Sequence, residues 1–418
     1  MEHSNHPRSA ANRQQPLSLL TRRWLMFGSG WLLLAYLQGW QAGSATLLLA
    51  GVAAFLISAL PAPLRRGAAL CVLMLPAVLT ATGSIGVLTG FAGNNQHQHW
   101  TGISFVCASL AAGLYRAPLT MPQWLDCVQP WRFNSGPCAL PDTRSAPRRI
   151  QTRRLRSALS WILLGAFFYS VPAAALSPLL LLRQSFAAPD ILLFALVFEL
   201  YVYFNFSGIS FMVYGLLKLA GLPVILNFQA PFSARHVPEF WQRWHISLSQ
   251  VLKLLIFQPL RPLGGIWLAV PAVFLISALW HGVTLNFVLW GSFHACAWLV
   301  SHSLIRHGWR RSALALLAPV ILTGRLIFSE ADTHILLHKL QQLAGWRDAA
   351  DSWISGISMD WQTATGLMCV AVWIGCEIAF PRQVRHYRLL RRTPVQIALL
   401  LLILLIGRSG LGGVYGAR

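Results

Sequence analysis

Two histidines in apolar, aromatic surroundings are where chemistry would have to begin in this 418-residue chain. His281 lies in SALWHGVTLNFVLWG (277–291), between Trp280 and Gly282, so the backbone there offers a ligand a close approach. An unperturbed imidazole titrates at about 6.5, and an apolar setting disfavours its charged form. A neutral base of that kind can take a proton from a hydroxyl. The competing reading is a core histidine hydrogen-bonded between helices, and spacing alone favours it.

His245 lies in PEFWQRWHISLSQ (238–250). Trp241, Trp244, His245 and Leu248 follow the i, i+3, i+4, i+7 rule, which predicts one continuous amphipathic helix with Arg243 pointing elsewhere. Phe240, Trp241 and Trp244 beside Arg243 suit a helix lying in a membrane interface, and this pattern favours anchoring over lining an active site. Glu199, Glu239 and Glu377 are the acids in or near apolar runs; each could orient a histidine, but interhelical hydrogen bonds are the default. His294, in WGSFHA (290–295), is expected to pack.

Several chemistries lack their motif. There is no G-x-S-x-G elbow, P-loop or HExxH. The seven cysteines form no CxxC pair and no metal-type spacing with histidine, so neither a metal site nor a disulfide framework is implied. Direct transfer from a thioester to a hydroxyl needs only a base and oriented substrates.

The elements that must position these residues are membrane helices. Hydrophobic residues make up 56% of the chain and charged ones 11%, against about 25% charged in a soluble domain. Mean hydropathy is +0.55. Runs long enough for a helix of about 20 residues to cross a bilayer recur, and about ten to twelve spans are expected. They fall near 24–42, 45–62, 67–92, 101–115, 157–182, 188–206, 207–228, 263–283, 284–304, 312–329, 361–380 and 394–410. The fold expected is an all-α polytopic membrane protein with re-entrant or interfacial helices.

The net charge of +21 comes from 33 basic and 12 acidic residues. Clustered arginine can neutralise nucleic-acid phosphates, but here the arginines fall between apolar runs, where they hold loops on the cytoplasmic side and meet anionic lipid. Nucleic acid is therefore not expected as a partner. Basic clusters occur in the N-terminal arm, at 144–156, at 306–311 and at 382–392. Clusters on one side require even numbers of crossings between them, yet five spans separate the second from the third. That odd count points to 207–283 as an irregular centre. The organisation expected is a basic arm (1–23), N-terminal spans (24–116) beginning with an uncleaved one, a basic cytoplasmic loop (117–156), a catalytic core (157–330) and a C-terminal part (331–418). In the last, HILLHKLQQL (334–343) places Leu336, Leu337, Leu340 and Leu343 on one face, suiting an interfacial helix.

EFWQRWHISLS (239–249), LWHG (279–282) and FVLWGSFH (287–294) resemble the signature blocks of the membrane-bound O-acyltransferases, in particular the subgroup of alginate O-acetyltransferases and teichoic-acid D-alanylation proteins. GISF (102–105), Tyr115–Arg116, Gly136–Pro137, YFNFSGIS (203–210) and NFQAPF (227–232) extend the likeness upstream. The resemblance implies acyl transfer from a cytoplasmic thioester to a hydroxyl reached through a central tunnel, in a multi-pass protein of the bacterial inner membrane. It implies that His281 is the essential histidine and His245 the family's second one, with Trp280, Trp244, Arg243 and Asn205 as tunnel candidates. No bound cofactor or metal is implied; acetyl-CoA or another acyl thioester is the donor substrate. A cell-envelope glycan is the acceptor, membrane lipid surrounds the chain, and a periplasmic acyl-handling protein or an acyl carrier protein docking on the 144–156 loop are candidate partners.

The pattern also departs from the family's. Asn205 and Phe211 replace polar positions of a YFDFSGYSD stretch, Lys253, Leu254 and Leu255 stand where RDY is usual, and IFSEA (327–331) replaces FFRA. A non-catalytic transporter or flippase subunit of a polysaccharide system is the alternative from another class.

Overall fold

The computed structural model describes residues 18–38, 51–81, 101–132, 136–140, 152–330, 332–345, 359–379 and 389–408. Most of the N-terminal arm, much of the 144–156 cluster and the first half of the 382–392 cluster lie outside those residues. Every regular element among the described residues is helical. Six helices are long and apolar enough to cross a membrane: 155–184, 188–219, 246–281, 285–306, 310–329 and 361–379. Thr393–Ile406 is a shorter apolar helix.

The pair 155–184 and 188–219 forms the backbone of the core. Gly165 and Gly208 face each other, and a Cβ on Gly208 would sit 2.9 Å from the Gly165 carbonyl oxygen. Without side chains at these positions, two apolar helices approach backbone to backbone, which is how helices gain packing contacts where lipid supplies no hydrophobic drive. Gly208 belongs to the YFNFSGIS stretch, so this contact accounts for part of that motif. Phe168, Tyr203, Phe204, Phe211 and Phe228 fill the space beside it and are fully buried.

Three expectations are corrected here. The spans 188–206 and 207–228 are one helix, Ala188–Leu219, of 32 residues. At 1.5 Å per residue it is about 48 Å long, more than a hydrocarbon core of about 30 Å requires, and a reading by span length divides it. The odd count of crossings rested on that division, and the irregular stretch begins after Leu219 rather than at 207. Second, the continuous helix expected through 237–250 is two short ones, Val237–Arg243 and Ile246–Leu252. Trp244 and His245 between them are buried at 5% and 6% exposure, so both pack into protein rather than standing on an exposed interfacial face. Third, Thr333–Gly345 does not present one leucine face outward: Leu336 is 1% exposed whereas Leu337 is 50% exposed. Lys339, on the buried side, donates to Glu330 at 2.6 Å and to the Arg183 carbonyl, which docks this helix on protein.

The 246–281 helix is not straight. Gly264 and Gly265 have non-helical backbone angles, Gly265 with φ of 63°. Phe257 packs against the cluster of Val270, Phe274 and Ala295, although a straight helix would carry Phe257 about 20 Å from Val270. The chain therefore turns back at the two glycines, where the left-handed φ suits a residue without Cβ.

Candidate active site

His245 owes its position to a local break in the helix. Its backbone is left-handed, with φ of 47° and ψ of 50°, which for a residue with a Cβ costs about 1–2 kcal/mol. Asn227 holds the break open. The Ile246 amide donates to the Asn227 carbonyl at 2.9 Å, and the Ser247 amide and hydroxyl donate to Asn227 Oδ1 at 3.1 and 2.6 Å. Ser247 Oγ in turn accepts from the Cys138 amide at 2.8 Å. The orphan amides that open the 246–252 helix are thus satisfied by a neighbouring loop rather than by the preceding turn. Freed from the helical course, the His245 ring enters the aromatic core beside Phe206 (4.9 Å between centroids) and stacks on Phe105 (5.6 Å). Neither of its ring nitrogens has a hydrogen-bond partner among the described residues.

His281 is the last residue of its helix, and the chain turns at Gly282 before Thr284 accepts from the Phe287 amide to open the 285–306 helix. The role expected for Gly282 is revised: a Cβ there would meet the Phe287 ring at 2.6 Å, so the missing side chain admits Phe287 rather than a ligand. The His281 ring lies 5.0 Å from Phe328, 5.8 Å from Trp290 and 4.9 Å from Trp280.

Both histidines line one cavity of about 430 Å³, within the ordinary range for small-molecule sites. Most of its wall is apolar. Val270, Phe274 and His281 come from one limb of the bent helix, and Ser249, Lys253 and Phe257 from the limb that precedes the glycines. Polar groups are few: the two imidazoles, Arg325, Lys253, Gln242, Ser249 and Ser277. Among the described residues no three His, Cys, Asp or Glu side chains converge as metal ligands.

Of the expected tunnel residues, Trp244 lines this cavity and three do not. Trp280 lies between the two imidazoles, 6.2 Å from His245 and 4.9 Å from His281, and packs edge-on to Phe105. Asn205 is fully buried inside its helix and donates to the Tyr201 hydroxyl at 3.3 Å. Arg243 pairs with Glu239 at 2.7 Å and bonds Ser233 Oγ at 2.9 Å, tying the 237–243 helix to the preceding turn. Burial raises Glu239, but the Arg235 amide and the Arg243 guanidinium outweigh it and hold this carboxyl below its usual range; His236 beside it is lowered, mainly by burial.

The acids do not orient the cavity's histidines. Glu377 accepts from Tyr203, from Trp373 at 2.9 Å and from the Phe232 amide at 3.4 Å. Glu199 accepts from Arg325 Nε at 2.5 Å. His294 packs as expected, edge-on to Trp241 and Trp290, and Gly324 leaves room for its ring. The residue that motif reading passed over is Arg325. It had a signal, being a charged side chain inside an apolar run, and such residues mark pathways or reactive sites.

Residues 120–315 match a family model described as MBOAT, membrane-bound O-acyltransferase family. Both cavity histidines fall inside that stretch. The chain is 32% identical over 142 residues to a peptidoglycan O-acetyltransferase of Helicobacter pylori, covering 32% of this chain and 26% of that protein. It is 32% identical over 157 residues to a probable alginate O-acetylase AlgI of Pseudomonas syringae, covering 35% and 30%. A teichoic acid D-alanyltransferase of Streptococcus thermophilus is 28% identical over 199 residues, covering 42% and 46%. The matched stretches thus span from about a quarter to under half of these relatives' lengths.

Proposed function

We propose that this chain is a multi-pass membrane O-acyltransferase of the bacterial inner membrane. It moves an acyl group, acetyl in the first instance, from a cytoplasmic thioester to a hydroxyl of an exopolysaccharide or other cell-envelope glycan. The observation that carries this reading is the opening of His281 and His245 onto one mostly apolar cavity at a bend in the helices. The relatives, named for acetyl transfer to peptidoglycan and alginate and for D-alanyl transfer to teichoic acid, share acyl transfer onto an envelope polymer.

In this reading His281 is the general base. Its imidazole takes the proton of the acceptor hydroxyl as the oxygen attacks the thioester carbonyl; the tetrahedral adduct then expels the thiolate, which leaves with that proton. The base acts in its neutral form, and the mostly apolar wall limits the water that would otherwise hydrolyse the thioester. His245, away from His281 behind Trp280, positions substrate. A cavity of about 430 Å³ suits an acyl thioester head with one sugar hydroxyl, not a polymer segment, so the glycan presents a single residue at its mouth.

His281→Ala should abolish acylation of the glycan while membrane insertion and protein level stay normal. Acylation that persists in that variant rejects the base assignment. A transporter subunit would release no thiol from acetyl-CoA when purified in detergent, whereas the enzyme does. A carrier-protein donor is the second form of the same reaction: reversing charges in 144–156 would then slow transfer from an acidic carrier more than from free coenzyme A.

A further inference from the structure

Arg325 is the less exposed of the two cations that line the cavity: its side chain is 11% exposed and lies against aromatic rings, whereas Lys253 is exposed. Its guanidinium carbon is 5.4 Å from the Phe328 ring centre and 5.5 Å from Trp244. His281 lies 5.0 Å from the same Phe328 ring. Both groups therefore border one ring and line the same cavity.

The pairing with Glu199 leaves most of the guanidinium's donors for a ligand. Only Nε is engaged, donating to Glu199 Oε2; the other carboxylate oxygen, buried, accepts no hydrogen bond. In a two-pronged pair one terminal nitrogen would bond that second oxygen. Here both terminal nitrogens are without a protein acceptor among the described residues. The pair is neutral overall, so it offers no net attraction to a dianionic phosphate. Lys253, exposed at the cavity and without an acidic partner among the described residues, is the better phosphate contact. A neutral pair with a free N–H fork is suited instead to a carbonyl oxygen that gains negative charge as the reaction proceeds.

Building on the acyltransferase reading above, we propose that Arg325, fixed by Glu199, binds the thioester carbonyl and stabilises the oxyanion formed there. As the acceptor oxygen bonds to the carbonyl carbon and His281 takes its proton, the carbonyl π electrons move to oxygen beside the Arg325 terminal nitrogens. Collapse restores the C=O bond, breaks the C–S bond and releases the thiolate, which recovers the proton from His281. Arg325 is the one charged side chain of the Leu317–Ser329 helix.

The test uses the full-length protein in detergent or nanodiscs, with thiol release and acetylated product measured on alginate or peptidoglycan oligosaccharides. Two donors are compared: acetyl-CoA, and the acetyl thioester of N-acetylcysteamine, which carries no phosphate. Arg325→Met should lower kcat/KM by about 10²–10³ on both donors, the usual loss for a removed oxyanion donor, chiefly through kcat. Arg325→Lys, which keeps a donor and a charge, should recover part of it. A defect confined to acetyl-CoA assigns Arg325 to phosphate binding and overturns the proposal, as does a loss below about threefold on both. Thermal unfolding of each variant separates a folding defect, in which Arg325→Lys and Arg325→Met would fail alike with lowered Tm, and that result also overturns it. If the folded wild-type protein releases thiol from neither donor, the acyltransferase reading itself fails, and this assignment with it.

Discussion

Replacing His245 by alanine and, separately, by glycine tests its left-handed backbone through the sign of a stability difference. Both substitutions remove the imidazole and its packing, so that loss cancels in the comparison. At φ of 47° a Cβ costs about 1–2 kcal/mol against the following carbonyl, which glycine does not suffer. Against this, glycine gives up about 0.4–1 kcal/mol more chain entropy on folding. The balance leaves His245→Gly more stable than His245→Ala by about 0.5–1 kcal/mol. In the unbroken helix that the 237–250 pattern predicts, the order inverts, with alanine better by about 0.8–1 kcal/mol. The two geometries thus differ by nearly 2 kcal/mol, roughly 20-fold in the folding equilibrium, which reversible unfolding in mixed SDS micelles resolves. A more stable alanine variant would falsify the left-handed assignment and the account of how His245 reaches the cavity.

Further outcomes follow from the same geometry. Asn227→Ala orphans the Ser247 amide at a fully buried site, at a cost of about 1–3 kcal/mol, and should lower transfer because the His245 break loosens; unfolding and turnover would be measured together. Gly208→Val should block the close approach to Gly165 and reduce folded yield in membranes, read by detergent size-exclusion, whereas substitution at the unobstructed Gly375 should not. Lys339→Met leaves Glu330 with only the longer Arg183 contact at 3.4 Å and should cost about 3 kcal/mol, partly recovered when Glu330→Leu is added. Because Glu239 is held below its ordinary value of 4.5, the Glu239–Arg243 pair contributes at neutral pH and fades as pH falls through that lowered value. Wild type and Glu239→Gln should therefore converge in stability only in acid below pH 4.5, and earlier convergence would contradict the pairing.

The helical membrane character was legible because it is written in bulk hydrophobicity, and His281 because LWHG is a distinctive block. The setting of His245 was not. The spacing 241, 244, 245, 248 satisfies one helix and equally two short helices that meet at a sharp corner, since side-chain periodicity does not report one backbone torsion. What closes the corner is Asn227, distant in sequence from Ser247, and pattern reading within a window cannot see that bond. The 188–219 helix was divided because hydrophobic length was taken as a crossing, whereas the chain continues as one helix of 32 residues. Arg325 was visible as an unusual charge but had no partner in sequence; its tie to Glu199 spans two helices.

The turn at Gly264–Gly265 also bears on how the cavity comes into being. The two limbs that it joins are adjacent in the chain, so their meeting closes only a short loop, and contacts of low sequence separation form early. Half of the wall can assemble as a local hairpin while the chain is still being made. Arg325 and Phe328 lie later in the chain, beyond the 285–306 helix. They complete the wall, and the guanidinium then meets Glu199, which precedes it in the chain, instead of standing unpaired in an apolar site.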